Sequence, residues 1–466
     1  MNKAKEKDLF SGSLTGNIFL YTLPIIATGL LQLLFNTADL VVVGQFEGSD
    51  AVAAVGSTSS LINLIVNLLI GLSVGSAVIV AQAWGAKDRD AISRSVHTAM
   101  AISLVGGILV GAAGVFFGGD FLRWMGTDAS VLDDATVYIR IYFIGVPASM
   151  VYNFGASILR AAGNTKIPLA FLSTAGVVNI ILNIVLVAGF QMGVAGVAVA
   201  TAVSQLISAI LVVIYMMKSR QHYNFRIRRL GFHKSELIRM MRIGIPAGLQ
   251  SSLFSISNVI IQSSVNSFHD MALVAGNTAA MTIENYVYTL MTSFTSAAMT
   301  FVGQTVGAER YDRIPKVALR CILIVTGVGI GAGALAYLFR APLLSVFSSS
   351  EDVNAAAAAS FGSIRILFIC VPYFLCGLMD VITGILRGMG SSTLPMIITI
   401  VGVCGLRILW IYTVFEYWHT LPVLYFSYPL SWFVTAAAQL ILFFVVKRRL
   451  FRRVELARKR DAVQVS

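Results

Sequence analysis

Long apolar runs, each about the length of a bilayer crossing, recur twelve times along the chain with short polar breaks between them. A helix needs about 20 apolar residues to cross the hydrocarbon core. That template predicts spans over roughly 17–44, 52–82, 95–118, 133–159, 168–188 and 194–217. A second set follows over roughly 241–268, 273–304, 317–340, 356–385, 394–415 and 422–446. Several runs exceed the minimum, which implies tilt or helices that project beyond the bilayer. The expected fold is all-α and integral to the membrane. It has an N-terminal lobe over 1–217, a linker over 218–240, a C-terminal lobe over 241–446 and a basic tail over 447–466. The lysines near the start lead into a full-length span with no small-residue cleavage site, so this stretch reads as a retained first helix and not a signal peptide.

Charge orients the spans. Basic residues gather at Lys3, Lys5 and Lys7, at Lys87, Arg89 and Arg94, and at Arg160 and Lys166. They recur through the linker from Lys218 to Arg242, at Arg310, Arg313, Lys316 and Arg320, at Arg387, and in the tail from Lys447 to Arg460. The alternate loops carry acids: Glu47 and Asp50, Asp120 and Asp128, Asp270, Glu351 and Asp352, and Glu416. Cytoplasmic loops are the lysine- and arginine-rich ones, which puts both termini and every even loop in the cytoplasm.

Composition agrees. Hydrophobic residues make up 57% and charged residues 12%, too few charges to cover a water-exposed surface. The mean hydropathy of +0.81 says the same. The net charge of +12 is spread over cytoplasmic loops, so it is a topology signal and not a nucleic-acid footprint. Cys321, Cys370, Cys376 and Cys404 all sit in apolar runs and read as small buried hydrophobes. No phosphate-binding G-x-x-x-x-G-K-[ST] sequence, paired-histidine metal motif or nucleophile–base pair occurs, which argues against an ATPase or an enzyme of another kind.

The two halves overlay. Pro24 and Asn36 match Pro246 and Asn258 at an offset of 222, and Val80 to Ala86 matches Val302 to Ala308 at the same offset. Ile139-Arg140-Ile141 with Pro147 matches Ile364-Arg365-Ile366 with Pro372 at 225, and Ile158 to Pro168 matches Ile385 to Pro395 at 227. An even number of spans per half gives both halves the same orientation. The expected symmetry is then a pseudo-twofold axis along the membrane normal, with a binding cavity between the lobes near mid-membrane.

Among families with six-plus-six architecture, the major facilitator signature is only echoed at Gly85 to Arg89, with shortened spacing and the second glycine absent. Other motifs carry a closer likeness: Pro24, Asn36-Thr-Ala-Asp39, Ala81-Gln-Ala-Trp-Gly85-Ala, Leu159-Arg160-Ala-Ala-Gly163-Asn164-Thr165, Asn179-Ile-Ile-Leu-Asn183 and Gly193-Val-Ala-Gly196. In this order the chain resembles, over nearly its whole length, the multidrug and toxic compound extrusion (MATE) family of bacterial type. The resemblance implies antiport of small organic cations and drugs against protons or sodium by alternating access. It also implies residence in the bacterial cytoplasmic membrane as a multi-pass monomer with no cofactor besides the coupling ion. A flippase for a lipid-linked precursor, from the same superfamily, is the alternative. The resemblance further implies a cation site at Asp39, Asn179, Asn183 and Thr201, where sodium could also sit. The chain departs from the family pattern at Asn183, which replaces an aspartate, and at Phe35, which replaces a tyrosine.

Three acids lie well inside predicted spans: Asp39, Glu284 and Asp380. A charge at membrane depth costs about 2.5–3.5 kcal/mol even on the lenient scale, so each needs a partner, water or a task. Asp39, with Asn36 one turn away, is the candidate for cation coupling; a packing role bonded to Asn179 or Asn183 is the structural alternative. Glu284 and Asn285 with Tyr288 form part of a polar stripe in the eighth span, expected to line a substrate cavity. Asp380 is expected there too, with its repeat mate Asn153. Arg140 and Arg365 are repeat mates suited to pairing or snorkelling, and Arg407 is a candidate partner for Asp380 or Glu284. The paired prolines are candidate hinges, and the methionines of the eighth span a candidate adaptable surface.

Overall fold

In the computed structural model the described residues are 12–347 and 355–465, without the side chains of 49–50 and 453–465. Lys3, Lys5, Lys7, Glu351 and Asp352 lie outside the described residues, as do the side chains of Asp50, Arg453 and Arg458 to Arg460. Every regular element among the described residues is helical. The first six spans are α1 (Leu14–Phe46), α2 (Gly48–Gly85), α3 (Arg89–Trp124), α4 (Leu132–Ala161), α5 (Lys166–Asn183) and α6 (Gly193–Lys218). α7 (Lys234–Asn266), α8 (Met271–Gly307) and α9 (Ile314–Leu338) follow, then a short α10 (Arg340–Ser345). The tenth span is α11 (Ala355–Arg365) and α12 (Tyr373–Gly388), the eleventh α13 (Thr393–Thr399) and α14 (Leu406–Trp410), and the last α15 (Leu421–Val465).

Ten helices are long and apolar enough to cross a membrane, and the bent pair α11/α12 makes eleven among the described residues. α8 answers to the remaining expected span. Its 37 residues would reach about 55 Å, but Asn277, Thr278, Thr282, Glu284 and Asn285 keep it below the apolarity of the others. The expectation of one continuous helix over 356–385 is corrected. The chain bends by 40° between α11 and α12, where wide turns over Ile366–Cys370 lead into Pro372, which has no N–H to continue the ladder. Similar wide turns follow α5 at Ile184–Gly189 and flank α14.

The chain packs as two compact units that divide within α7, between Ser252 and Leu253, and the start of α1 up to Ile18 groups with the second unit. In the first unit α4 lies against α2, α3 and α6. The contact of α3 with α4 is made by small residues. A Cβ at Gly107 would come within 2.7 Å of the Pro147 backbone, and one at Gly114 would lie 2.0 Å from the Phe143 ring. Such close approach maximises dispersion where lipid offers no hydrophobic drive for helices to associate. In the second unit α12 lies against α8, α9 and α15. Gly329 and Gly333, the repeat mates of Gly107 and Gly111, bring α9 onto Phe374 and Cys370. The outward faces keep Leu109, Phe116, Ile144, Val401 and Tyr412 exposed, as a lipid-facing surface requires. All four cysteines are free and buried.

Segment 218–240, expected as a linker, is fastened to the first unit. The Arg226 N–H donates to His97 Nε2 (3.1 Å), the His233 N–H to Thr98 Oγ1 (3.1 Å), and Arg239 Nη2 to Gln82 Oε1 (2.8 Å). Arg94 Nε pairs with the buried Glu236 at 2.8 Å, and Trp84 stacks on Tyr223.

Candidate functional site

In the first unit, α1, α5 and α6 bring four of the predicted residues together. Asn179 and Asn183 share one face of α5, four residues apart. Asn183 Nδ2 donates to the Asp39 carboxylate and also lies 3.3 Å from Asn179 Oδ1. Thr201 on α6 stands beside the same carboxylate. Thr201 Oγ1 and Asn183 Oδ1 are both buried without a hydrogen-bond partner. Orphaned buried oxygens are costly, and here two of them lie in the group that surrounds one carboxylate. A set of carboxylate, amide and hydroxyl oxygens suits a proton or a hard monovalent cation.

The neighbours of this cluster explain its local shape. The Phe35 ring lies on the backbone of α5 at Gly176, where a Cβ would sit 1.9 Å from the ring. Phe35 is thus a spacer between α1 and α5. Asn36 is exposed, and no hydrogen bond joins it to Asp39 among the described residues. Tyr138 of α4 lies within electrostatic range of Asp39 and stacks on Tyr142; nothing in its sequence surroundings marked it.

In the second unit Glu284 does not stand alone. Arg365 Nη2 contacts Glu284 Oε2 at 2.6 Å and Nε reaches it at 3.2 Å, while Nη1 donates to Asn277 Oδ1 at 2.9 Å. The Tyr373 hydroxyl reaches Glu284 Oε1 at 3.4 Å, and the Tyr425 hydroxyl donates to Asn277 Oδ1 at 3.0 Å. Asp380 has Arg387, two turns along the same face of α12, as its electrostatic partner, with Tyr288 close by. The reading of Arg407 as a partner for Glu284 or Asp380 holds only through space: Glu284 lies within its electrostatic range, but no salt bridge joins Arg407 to either acid among the described residues. Arg407 lies on α14 and turns to α7 and α15, bonding Ser431 Oγ (3.0 Å) and Asn258 Oδ1 (3.5 Å), because the two acids already have arginines on or beside α12.

A cavity of about 50 Å³ is lined by Glu284 and Asn285 with Asn258, Gln262, Met281, Arg365 and Tyr428. That volume holds a few waters and no drug-sized solute. Tyr288 and Asp380 do not line it; Tyr288 packs edge-on to Tyr373. Asn153, the repeat mate of Asp380, is in the first unit and donates to the Ser149 carbonyl of its own helix. Arg140 is exposed.

The family model MatE matches the chain twice, over residues 24–185 and 246–413. The chain belongs to the MatE family. The two matches begin at Pro24 and Pro246, so the family's repeat is the repeat seen in the sequence. Relatives include the probable multidrug resistance protein YoeA of Bacillus subtilis (strain 168), 29% identical over 84% of both chains. YpnP of the same strain, also a probable multidrug resistance protein, is 28% identical over 86% of this chain and 89% of its own. The probable multidrug resistance protein NorM of Thermotoga maritima is 22% identical over 83% and 82%. Among solved structures, an outward-facing multidrug resistance MATE family transporter of the MOP superfamily aligns with a TM-score of 0.88. It is 21% identical and covers 97% of this chain and 100% of its own. A MOP superfamily transporter from Pyrococcus furiosus, described as having a binding pocket of reverse polarity, aligns with a TM-score of 0.87 at 21% identity over 97% and 99%. The protein is therefore a multi-pass membrane protein of a multidrug efflux transporter family. For this MatE protein, sequence reasoning missed Arg387 as the neighbour of Asp380 and Asn277 as the hub that Arg365 and Tyr425 share. The repeat alignment could have flagged Arg387, which is the mate of Arg160.

Proposed function

We propose that this protein is a secondary antiporter that exports small organic cations and drugs in exchange for a proton or sodium ion taken up at Asp39. One observation carries the reading. Asp39 is the intramembrane acid with no arginine or lysine beside it among the described residues, whereas Glu284 is bonded to Arg365 and Asp380 has Arg387 within electrostatic range. A carboxylate left with neutral amide and hydroxyl partners keeps its attraction for a mobile cation, and it must take one up or stay costly in the membrane. Entry of a cationic solute and departure of the coupling ion then compete for one charge, which is the thermodynamic core of exchange. Replacement of the family's second aspartate by Asn183 leaves one formal charge to be balanced per cycle. The family's alternating access supplies the export step, and the basic even loops support a cytoplasmic position for both termini in a bacterial inner membrane.

The test is efflux of a cationic dye by everted vesicles, with pH and sodium gradients imposed separately. Dye movement that follows one gradient, and collapses when that gradient is dissipated, is the expected result. Movement at the same rate without either gradient sinks the antiport reading.

A further inference from the structure

Among the described residues, the charges deep in the second unit do not cancel. Glu284 is matched by Arg365, and Asp380 by Arg387, which leaves the positive charge of Arg407 as a remainder. Arg407 is fully buried, with no carboxylate in salt-bridge range among the described residues. An arginine stays charged in any protein environment, so it cannot escape this cost by losing its proton. The groups in contact with it are neutral: Ser431 on Nε, a long bond from Nη1 to Asn258, and the Tyr428 ring 4.0 Å beneath the guanidinium carbon; Glu284, already bonded to Arg365, attracts it only through space. Nη2 has no hydrogen-bond partner. Beside it, the buried Trp432 also leaves its indole Nε1–H without an acceptor, and the guanidinium carbon is 5.7 Å from the Trp432 ring. Two buried donors and one unbalanced positive charge in a single cluster call for an acceptor that carries negative charge. The cavity described above gives access, since Asn258 and Tyr428 both line it and both contact Arg407.

We propose that Arg407, with Tyr428 beneath it and Trp432 beside it, is an oxyanion-binding site in the second unit. It takes the carboxylate or phosphate of an amphiphilic molecule that enters past Asn258. The site is separate from Asp39 and does not depend on ion coupling there. Together the two would let the transporter accept solutes that carry an anionic group, which a surface built for cations alone would reject. Carboxylate and phosphate oxygens suit the forked donors of a planar guanidinium, and the aromatic faces around it suit the apolar body of such a molecule. A solute or a lipid headgroup could supply that oxyanion.

Binding without any gradient tests this independently of transport. The full chain is placed in phosphatidylcholine nanodiscs and titrated with dansylglycine, an anion, and with dansylamide, its neutral counterpart. A charge-assisted contact predicts that dansylglycine binds about tenfold tighter or more. Arg407→Gln should erase that preference. Asn258→Asp is the second variant. It sets a carboxylate against the guanidinium, keeps the buried charge paired, and should erase the preference even if the glutamine variant fails to fold. Equal affinity of the two probes for the wild-type protein overturns the proposal, because ordered water would then be enough for the free donors. A preference that survives Asn258→Asp overturns it as well. Repeating the titration in phosphatidylglycerol discs separates the two sources. Loss of the dansylglycine preference there supports a headgroup in the site, and an unchanged preference supports a free solute.

Discussion

Arg365 holds Glu284 through two nitrogens on one carboxylate oxygen, at 2.6 and 3.2 Å, with both side chains almost wholly buried. The pair joins α11 to the polar face of α8, and Asn277 and Tyr373 complete its hydrogen bonds. An ion pair this deep gives little net stability while intact, yet breaking it strands a charge. Glu284→Gln or Arg365→Met alone should therefore destabilise the protein by about 3–5 kcal/mol, and the double variant should recover most of that loss. The four buried cysteines provide the readout, since a thiol-reactive fluorogenic dye reports their exposure on heating. Equal melting of the single and double variants would refute the coupling.

Asp39→Asn keeps the shape of the side chain and removes its charge. Gradient-driven dye efflux should fall to the level of vesicles without the protein, while the dye-monitored melt stays cooperative. Retained coupled efflux would shift the ion site to Asp380, the other acid whose partner is not in salt-bridge contact.

Asn183→Asp sets a second carboxylate against the first, and like charges in contact need a cation to hold them. Added sodium should raise the melting temperature of this variant more than that of the wild type, because a ligand that binds only the folded state stabilises it. The same sodium response in both proteins would show that Asn183 does not tune the site.

Gly71 and Gly56 give a paired test of helix packing on α2. A Cβ at Gly71 would lie 2.2 Å from Gly248 Cα on α7, and one at Gly56 meets nothing within 4 Å. Gly71→Ala should cost about 1–3 kcal/mol through overpacking. Gly56→Ala should be neutral or stabilise by up to about 1 kcal/mol, since alanine favours a helix interior over glycine. The same melt ranks the two.

Glu236 is buried and relies on Arg94, which is itself half-exposed. Arg94→Ala should loosen the strap over 218–240, with faster tryptic cleavage at Arg226, Arg228 or Arg229 as the measure. The Arg94→Lys variant, which keeps a cation there, should cleave closer to the wild-type rate. Equal cleavage of all three proteins would mean that His97, Thr98 and Gln82 hold the strap without the ion pair.

The membrane character, the all-helical class, the number and approximate limits of the spans, and the internal repeat were all legible in the sequence. Each follows from a local rule: backbone groups in lipid must bond within their own helix, so hydropathy and length alone define a span. The family resemblance also picked out Asp39, Asn179, Asn183 and Thr201, and the four-residue spacing on α5 puts Asn179 and Asn183 on one face. Partner choice was not local. Whether Arg365, Arg387 or Arg407 neutralises a given acid depends on which helices face each other and on how the chain bends before Pro372. Those are properties of packing, and no periodicity records them. The sequence by itself determined that this chain lies in a membrane as two like halves with three costly acids inside. Only the tertiary structure decided that two of those acids have arginine neighbours, that Asp39 has neutral amide and hydroxyl partners, and that Arg407 has no bonded acid among the described residues. A buried charge is settled by what lies within a few ångströms of it, and in this fold those neighbours come from helices far apart in the chain.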